Sequence, residues 1–482
     1  MELNGSGYPR VQLLVGGRWI SEGRDRIVVR NPATDEVLGE LPMATEDDVD
    51  HAVLAAAAAF TSWRCATPHE RSAILRRVAA LLRERRDVLA RVLTLEQGKP
   101  LPDALLEIAA CAEVFEWMAE EAPRVGGRII PSRDPLIEQA VYYEPKGPVA
   151  AFTPWNFPAV LAVRKIAPAL ASGCAIVIKP PEEAPATVAM IGRICSDAGV
   201  PPGVLGILYG SPDMISARLI ENAAIRKVTF TGSVAVGRIV GASAGRALKK
   251  VTLELGGHAP VVVCGDADAE RAAVLGASRK FRNAGQYCHC PTRFLVHESL
   301  YASFLERFVL AAQAVTVGNG LDDAVQMGPL ISKRRVAAMQ ALCEDAVAKG
   351  ARVRLGGKVP SWARRGNFWE PTVLTDLHKD VAAMKEEPFG PIALIQPFSS
   401  LDEAVSMAND VSVGLCAYAF TRSTETTRRL RRELDAGVIA FNTFQVTAME
   451  LPFGGVKDSG VGYEMGAEGL REYYRLKTVV QG

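Results

Sequence analysis

Between Lys146 and Pro260 the chain repeats one unit: a short run that is apolar on both faces, a turn, then a segment with helical spacing. The runs are "GPVAAFTP", "GCAIVIKP", "GVLGILYG", "KVTFTGS" and "KKVTLELGG". The intervening helices are "EEAPATVAMIGRICSDAG", closed by Gly199, then "SPDMISARLIEN", then one from about Val236. A strand that is apolar on both faces has to be covered on both, and crossover helices do this, so the repeat predicts a doubly wound parallel sheet. The alternation resumes with "APVVVCG", a helix through Arg282, "TRFLVHE" and the long helix "LYASFLERFVLAAQAV", predicting a second α/β domain over residues 258–455.

Residues 11 to 43 read as short strands broken by turns, and Thr45 to about Arg124 as helices, the first opened by a capping threonine and acidic residues. Residues 1–125 are therefore grouped with 147–257 in the first domain. Two strand-like segments, "GRIIPSRDPLIEQAVYYEP" and "YYRLKTVVQG", belong to neither sheet. Their backbone groups need an edge to pair with, so residues 126–146 and 456–482 are expected to pair with each other or with another subunit.

A chain of 482 residues exceeds one ordinary core. A net charge of +1 gives no reason to expect nucleic acid or an anionic membrane as partner. No run of about 18 apolar residues occurs, and the start lacks an apolar core and a small-residue cleavage site. No membrane partner and a cytoplasmic location are expected. The odd count of nine cysteines, mostly scattered singly, suits a reducing compartment.

Chemistry concentrates at a few points. "FRNAGQYCHCPTR" holds Cys288 and Cys290 with His289 between them. Cys288 reads as a nucleophile if its surroundings lower its pKa, or else as a buried thiol. No metal is expected, because Cys-His-Cys on consecutive residues lacks the second spaced pair of a zinc site. His289 reads as a spacer whose ring faces the loop. "TFTGSVAVG" runs a strand through Gly232 and Ser233 into a helix, whose first N–H groups suit a phosphate. "VIKPPEE" puts Lys179 and Glu182 at a strand's C-terminal end, where open α/β sheets bind ligands, though either could be a solvated rim charge. Glu254, on the apolar strand "LELGG", is either paired structurally or a general base. Asn156 in "TPWNFP" is an amide donor for an oxyanion, or a turn residue.

These motifs, with "EEPFGP" and "PFGGVKDSGVG" and the 34-residue step from Glu254 to Cys288, resemble the aldehyde dehydrogenase superfamily along essentially the whole chain. The resemblance implies a doubly wound NAD-binding domain, a second α/β catalytic domain and a β-strand oligomerisation arm. It implies that Cys288 attacks the aldehyde, Asn156 holds the oxyanion and Glu254 activates water. Lys179 and Glu182 would then meet the adenosine ribose, Gly232 and Ser233 the pyrophosphate, and Glu387 the nicotinamide ribose, with Phe389, Trp155 and Leu255 lining the cleft. Glu182 favours NAD over NADP, since a carboxylate repels a 2′-phosphate; NADP stays open, because some members with this acid accept both. Glu254 argues for hydrolysis over acyl transfer to coenzyme A.

Arg164 and Arg282 match the arginines with which succinate semialdehyde dehydrogenases hold the far carboxylate, and Thr447 adds a hydroxyl. A small anionic aldehyde is implied: succinate semialdehyde first, with 2-oxoglutarate semialdehyde or a sulfonated short aldehyde as alternatives. Cys290 matches a position that in some such enzymes forms a reversible disulfide with the nucleophile. The implied assembly is a homo-oligomer, dimer or tetramer. The opposing reading is a catalytically silent structural relative.

Overall fold

The computed structural model describes residue 5 and residues 7–482. Its first sheet has eight strands in the order Arg18–Ile20, Leu13–Val15, Leu205–Ile207, Ile176–Lys179, Val149–Phe152, Lys227–Thr231, Lys250–Glu254, Gly460–Val461. The run from Leu205–Ile207 to Lys250–Glu254 is parallel throughout, and the two elements beside it are antiparallel. Every residue of Val149–Phe152 and Ile176–Lys179 is buried, which is why those runs carry no polar face. The second sheet has seven strands: Arg352–Leu355, Thr372–Thr375, Ile392–Phe398, Pro291–His297, Ala259–Val263, Cys416–Phe420 and Val438–Phe441. Only Arg352–Leu355 runs against its neighbour. The fold is α/β and of the kind the resemblance implies.

Local signals set the helix ends. Thr45 accepts from the Asp48 N–H while the Asp48 side chain accepts from the Thr45 N–H, a reciprocal cap on helix Glu46–Trp63. Pro158 opens helix Pro158–Ser172, and Gly173 closes it at φ 86°. Ser233 caps helix Val234–Arg246 through the Val236 N–H, fixing the N-terminus where phosphate binding is expected.

The strand Tyr474–Gln481 pairs along its length with Glu138–Pro145, which pairs in turn with Arg128–Ile130. The two orphan segments thus satisfy each other. This small sheet leaves Ile129, Leu136, Leu476 and Val480 exposed, Ile129 at 86%. The C-terminal segment is not one strand, however. Val456–Lys457 pairs with Val413–Gly414, Gly460–Val461 joins the first sheet, and helix Gly466–Arg471 precedes the arm strand. Two-residue strands are too short to leave a periodicity in the sequence. Among the described residues no helix is long and apolar enough to cross a membrane.

Candidate active site

The loop before Cys288 adopts a conformation few sequences tolerate. Asn283, Ala284 and Gly285 have φ of 47°, 53° and 70°, three successive left-handed residues, two of which bear a Cβ. Buried amides hold it. Asn283 Nδ2 donates to the Asn156 carbonyl at 3.1 Å, and its Oδ1 accepts from Gln97 Nε2 at 3.1 Å. Gln286 Nε2 donates to the Asn283 carbonyl at 3.1 Å, while its Oε1 accepts the Ile331 N–H at 3.0 Å. The polar letters of "NAGQ" are therefore structural clamps. From the other side comes the end of the Glu254 strand, where a Cβ on Gly257 would stand 2.6 Å from the Cys288 carbonyl. Only glycine lets the two segments approach this closely.

Cys288 emerges half-buried in the wall of a cavity of about 380 Å³ that Asn156, Arg164, Arg282, His289 and Thr447 also line. Its thiol is pushed up to about 12 by burial and by the carboxyls of Glu387 and Glu254, with Arg164 opposing. The lowered pKa anticipated for a nucleophile is absent, because burial, reinforced by the carboxyls, outweighs the nearby cation. Asn156 is buried; its Nδ2 donates one hydrogen to the Gln286 carbonyl at 3.1 Å and keeps the other, and its Oδ1 has no partner. Glu254 is 4% exposed, and neither carboxylate oxygen has a partner. Desolvation and the nearby Glu464 raise it well above the usual carboxylate range. The structure therefore shows no structural pairing of this carboxyl.

A second set of groups lies at the C-terminal ends of the first sheet. The Thr153 and Thr231 hydroxyls are buried without partners there, Thr231 just before Gly232 and the capped helix at Ser233. Lys179 Nζ meets Glu182 at 2.6 Å, and Glu182 also accepts the Gly210 N–H at 3.1 Å. Trp155 and Phe389 meet edge to face at 5.5 Å, and Leu255 packs over Gly237, where a Cβ would be 2.3 Å from Leu255 Cδ2. Glu387 is raised to about 8 by burial, and a Cβ on Gly256 would lie 2.4 Å from its Oε2.

A family model described as the aldehyde dehydrogenase family matches residues 19–479. The chain belongs to that family. This aldehyde dehydrogenase is 49% identical to a putative 4-(hydroxymethyl)benzenesulfonate dehydrogenase of Comamonas testosteroni, over 98% of each chain. It is 42% identical to the mitochondrial succinate-semialdehyde dehydrogenase of Arabidopsis thaliana, over 100% of this chain and 91% of that protein. It superposes on a succinate-semialdehyde dehydrogenase structure from Burkholderia pseudomallei with TM-score 0.97 at 41% identity, covering 100% of both chains.

An aldehyde dehydrogenase uses NAD(P), and the second set of groups fits such a cofactor: orphaned hydroxyls and a free helix N-terminus await a polar ligand, beside glycines that a Cβ would obstruct. Among the described residues no cluster of three or more His, Cys, Asp or Glu is placed to hold a metal.

At the cavity's far end the enzyme departs from a simple pair of arginines. The Arg164 Nε is buried and unpartnered, with its guanidinium 5.7 Å from the Phe453 ring centroid. Arg282 also faces the cavity, but its Nε is engaged by Asp103 at 3.0 Å. Arg279 lines the same cavity and was not anticipated; its spacing of three from Arg282 on one helix face was the available signal. His289 does more than space the two cysteines. Its ring lines the cavity, with Nδ1 3.7 Å from Cys288 Sγ. Cys290 turns away: its N–H donates to the Tyr287 carbonyl at 3.0 Å, and its buried thiol sits 3.3 Å from Lys280 Nζ. Both cysteines are free.

Proposed function

We propose that the enzyme oxidises a small aldehyde bearing an anion at its far end to the carboxylic acid, with succinate semialdehyde as the leading substrate. The observation that carries this is the buried, unpartnered Arg164 Nε in the same cavity as Cys288. A buried guanidinium N–H lacking an acceptor is costly, and a carboxylate or sulfonate supplies one. Arg279 and Arg282 add positive charge, and Thr447 a hydroxyl.

In this reading Cys288 Sγ adds to the carbonyl carbon to give a thiohemiacetal. The free hydrogen of Asn156 Nδ2 and the Cys288 N–H receive the oxyanion. NAD(P), when bound beside Phe389, would supply the hydride acceptor, and loss of hydride from the thiohemiacetal carbon would leave a thioester on Cys288. Glu254, with both oxygens free, takes a proton from the water that releases the acid. Lys179 and Glu182 hold the adenosine ribose, Gly232 and Ser233 the diphosphate, and Glu387 the second ribose, beside Phe389, Trp155 and Leu255. Glu182 favours NAD over NADP by repelling a 2′-phosphate, although its pairing with Lys179 softens that repulsion. The exposed apolar arm supports a homo-oligomer, dimer or tetramer, and the expected location is cytoplasmic.

A second reading is favoured by the walls. Phe157, Tyr287, Tyr418 and Phe444 line the cavity, whose size lies in the range of about 300–1,000 Å³ typical of drug-sized ligands. A benzaldehyde carrying a sulfonate suits that lining, as does the name of the relative at 49% identity. The short alternatives are 2-oxoglutarate semialdehyde and a sulfonated short aldehyde. The test compares kcat/KM for succinate, glutarate and 2-oxoglutarate semialdehydes, 4-sulfobenzaldehyde and an uncharged aldehyde, with Cys288→Ala as control. The anionic substrates are expected to lead; an uncharged aldehyde in front, or full activity in Cys288→Ala, overturns the reading.

A further inference from the structure

Cys288 has to give up its proton as its sulfur bonds to a carbonyl carbon, and that proton needs an acceptor within reach. Three titratable side chains bear on the sulfur: Glu254, Glu387 and His289. Burial raises both carboxyls, Glu387 to about 8 and Glu254 well above its usual range, so each is biased towards its protonated form. His289 is the opposite case. Burial together with Arg164, Arg282 and Arg279 lowers it to about 3, so the ring is neutral and one nitrogen is free to accept.

Geometry aims that nitrogen at the sulfur. Nδ1 lies 3.7 Å from Cys288 Sγ, and the ring is held edge to face by Tyr287 at 4.8 Å and Phe453 at 6.0 Å. The His289 carbonyl accepts the Tyr418 hydroxyl at 2.7 Å, so backbone and ring are both fixed. With the ring proton on Nε2, Nδ1 receives the thiol hydrogen.

We propose that His289 is a catalytic residue whose Nδ1 takes the Cys288 proton as the sulfur attacks the aldehyde, and that the substrate's anion, seated among the arginines, eases this transfer. The inference rests on the reading of Cys288 as nucleophile and of the arginines as an anion site. The S–H bond breaks as the C–S bond forms; the proton goes to Nδ1 and the carbonyl electron pair to oxygen. When water opens the thioester, the C–S bond breaks, its electron pair returns to sulfur, and the imidazolium gives the proton back. Glu254 is left to serve the water alone.

Burial is the larger cause of the ring's neutrality, and the arginines that add to it line the cavity the substrate's charged end would enter. The groups around His289 are Arg164 from helix Pro158–Ser172, Arg279 from helix Ala269–Phe281, Arg282 at that helix's end, Tyr418 from strand Cys416–Phe420, and Tyr287 and Cys288 in its own loop. Both tyrosines are held protonated by burial, so the arginines are the only charges in that set at neutral pH. A carboxylate or sulfonate among them cancels their field, and the ring's affinity for a proton rises only when a correctly charged molecule is bound. Charge recognition at one end of the substrate thereby switches on the nucleophile at the other.

The test measures alkylation of Cys288 by uncharged iodoacetamide in the cofactor-free, full-length enzyme, followed by mass spectrometry, with and without methanesulfonate as a small anion. In the wild type at pH 7 the anion is expected to accelerate alkylation several-fold. His289→Gln should react about a hundredfold more slowly, the lower end of what a positioned proton acceptor supplies, and should ignore the anion. His289→Asn, smaller than the native ring, replaces it if the glutamine variant does not fold, with NAD binding as the check on the fold. Alkylation of the variant at the wild-type rate, or with the wild-type anion response, overturns the proposal, as does a wild type indifferent to the anion. Loss of aldehyde oxidation in Cys288→Ala beside a silent His289 variant sinks this inference alone; full activity in Cys288→Ala sinks the function as well.

Discussion

The Asn283 side chain donates to the backbone carbonyl of Asn156 at 3.1 Å, tying the nucleophile's loop to the loop that carries the amide. Neither loop holds its shape alone. Asn283→Ala leaves the Gln97 amide without its acceptor and keeps a Cβ-bearing residue at φ 47° with no compensating bonds. We expect a stability loss of about 1–3 kcal/mol in denaturant titration and a fall in kcat larger than the change in KM. Unchanged kcat would show that the clamp does not position the amide.

Glu254 gives a pH dependence with a defined sign. Its folded-state pKa is raised, so the deprotonated form that accepts a water proton accumulates only as pH rises. The hydrolytic limb of kcat should climb with pH from well above the usual carboxylate range. Glu464→Gln removes the like charge that helps raise Glu254, and should move that limb to lower pH. Glu254→Gln should slow turnover about 10²–10⁴-fold while sparing a first burst of NADH, measured by stopped flow.

The arginines are not equivalent. Arg164 has an unpartnered Nε, whereas Arg282 is already engaged by Asp103. Arg164→Gln should cut the preference for anionic over uncharged aldehydes by about ten- to a hundredfold, the worth of one charge-assisted bond. Arg282→Gln should cost less. Equal losses in kcat/KM from the two substitutions would show that Asp103 does not weaken the second cation.

The buried pair of Lys99 and Glu107 supports the same region. Lys99 Nζ also donates to the Asn156 carbonyl at 2.9 Å and lies 3.7 Å from the Phe157 ring centroid. Lys99→Met strands the Glu107 charge and should destabilise the fold by about 3–5 kcal/mol, read from thermal and denaturant unfolding. A loss under about 1 kcal/mol would mean that Glu107 is sufficiently held by the Ala159 and Val160 N–H groups it also accepts.

Cys288, Glu254 and Asn156 could be singled out as candidates because each stands in a turn or at a strand end whose neighbours are glycine, proline or amide, residues chosen by backbone geometry. The sheets were legible from their uninterrupted apolar runs. What escaped depends on partners brought from elsewhere in the chain. The height of the Cys288 pKa is set first by burial and then by Glu387 and Glu254, and no local pattern around residue 288 reports either. The spacing of Cys290 suggested a thiol beside the nucleophile, but a turn closed by its own N–H directs it into the core. Arg279 was visible as a helical neighbour of Arg282, yet nothing in the letters says which helix face meets a cavity.

The left-handed run at Asn283, Ala284 and Gly285 also sets an order of events. Its conformation is costly, at about 1–3 kcal/mol for each non-glycine residue so held. It is offset only after Gln97, Asn156 and Ile331, from three remote stretches of chain, have all arrived. Catalytic competence should therefore be the last property to return on refolding and the first to vanish in urea, well before either sheet melts.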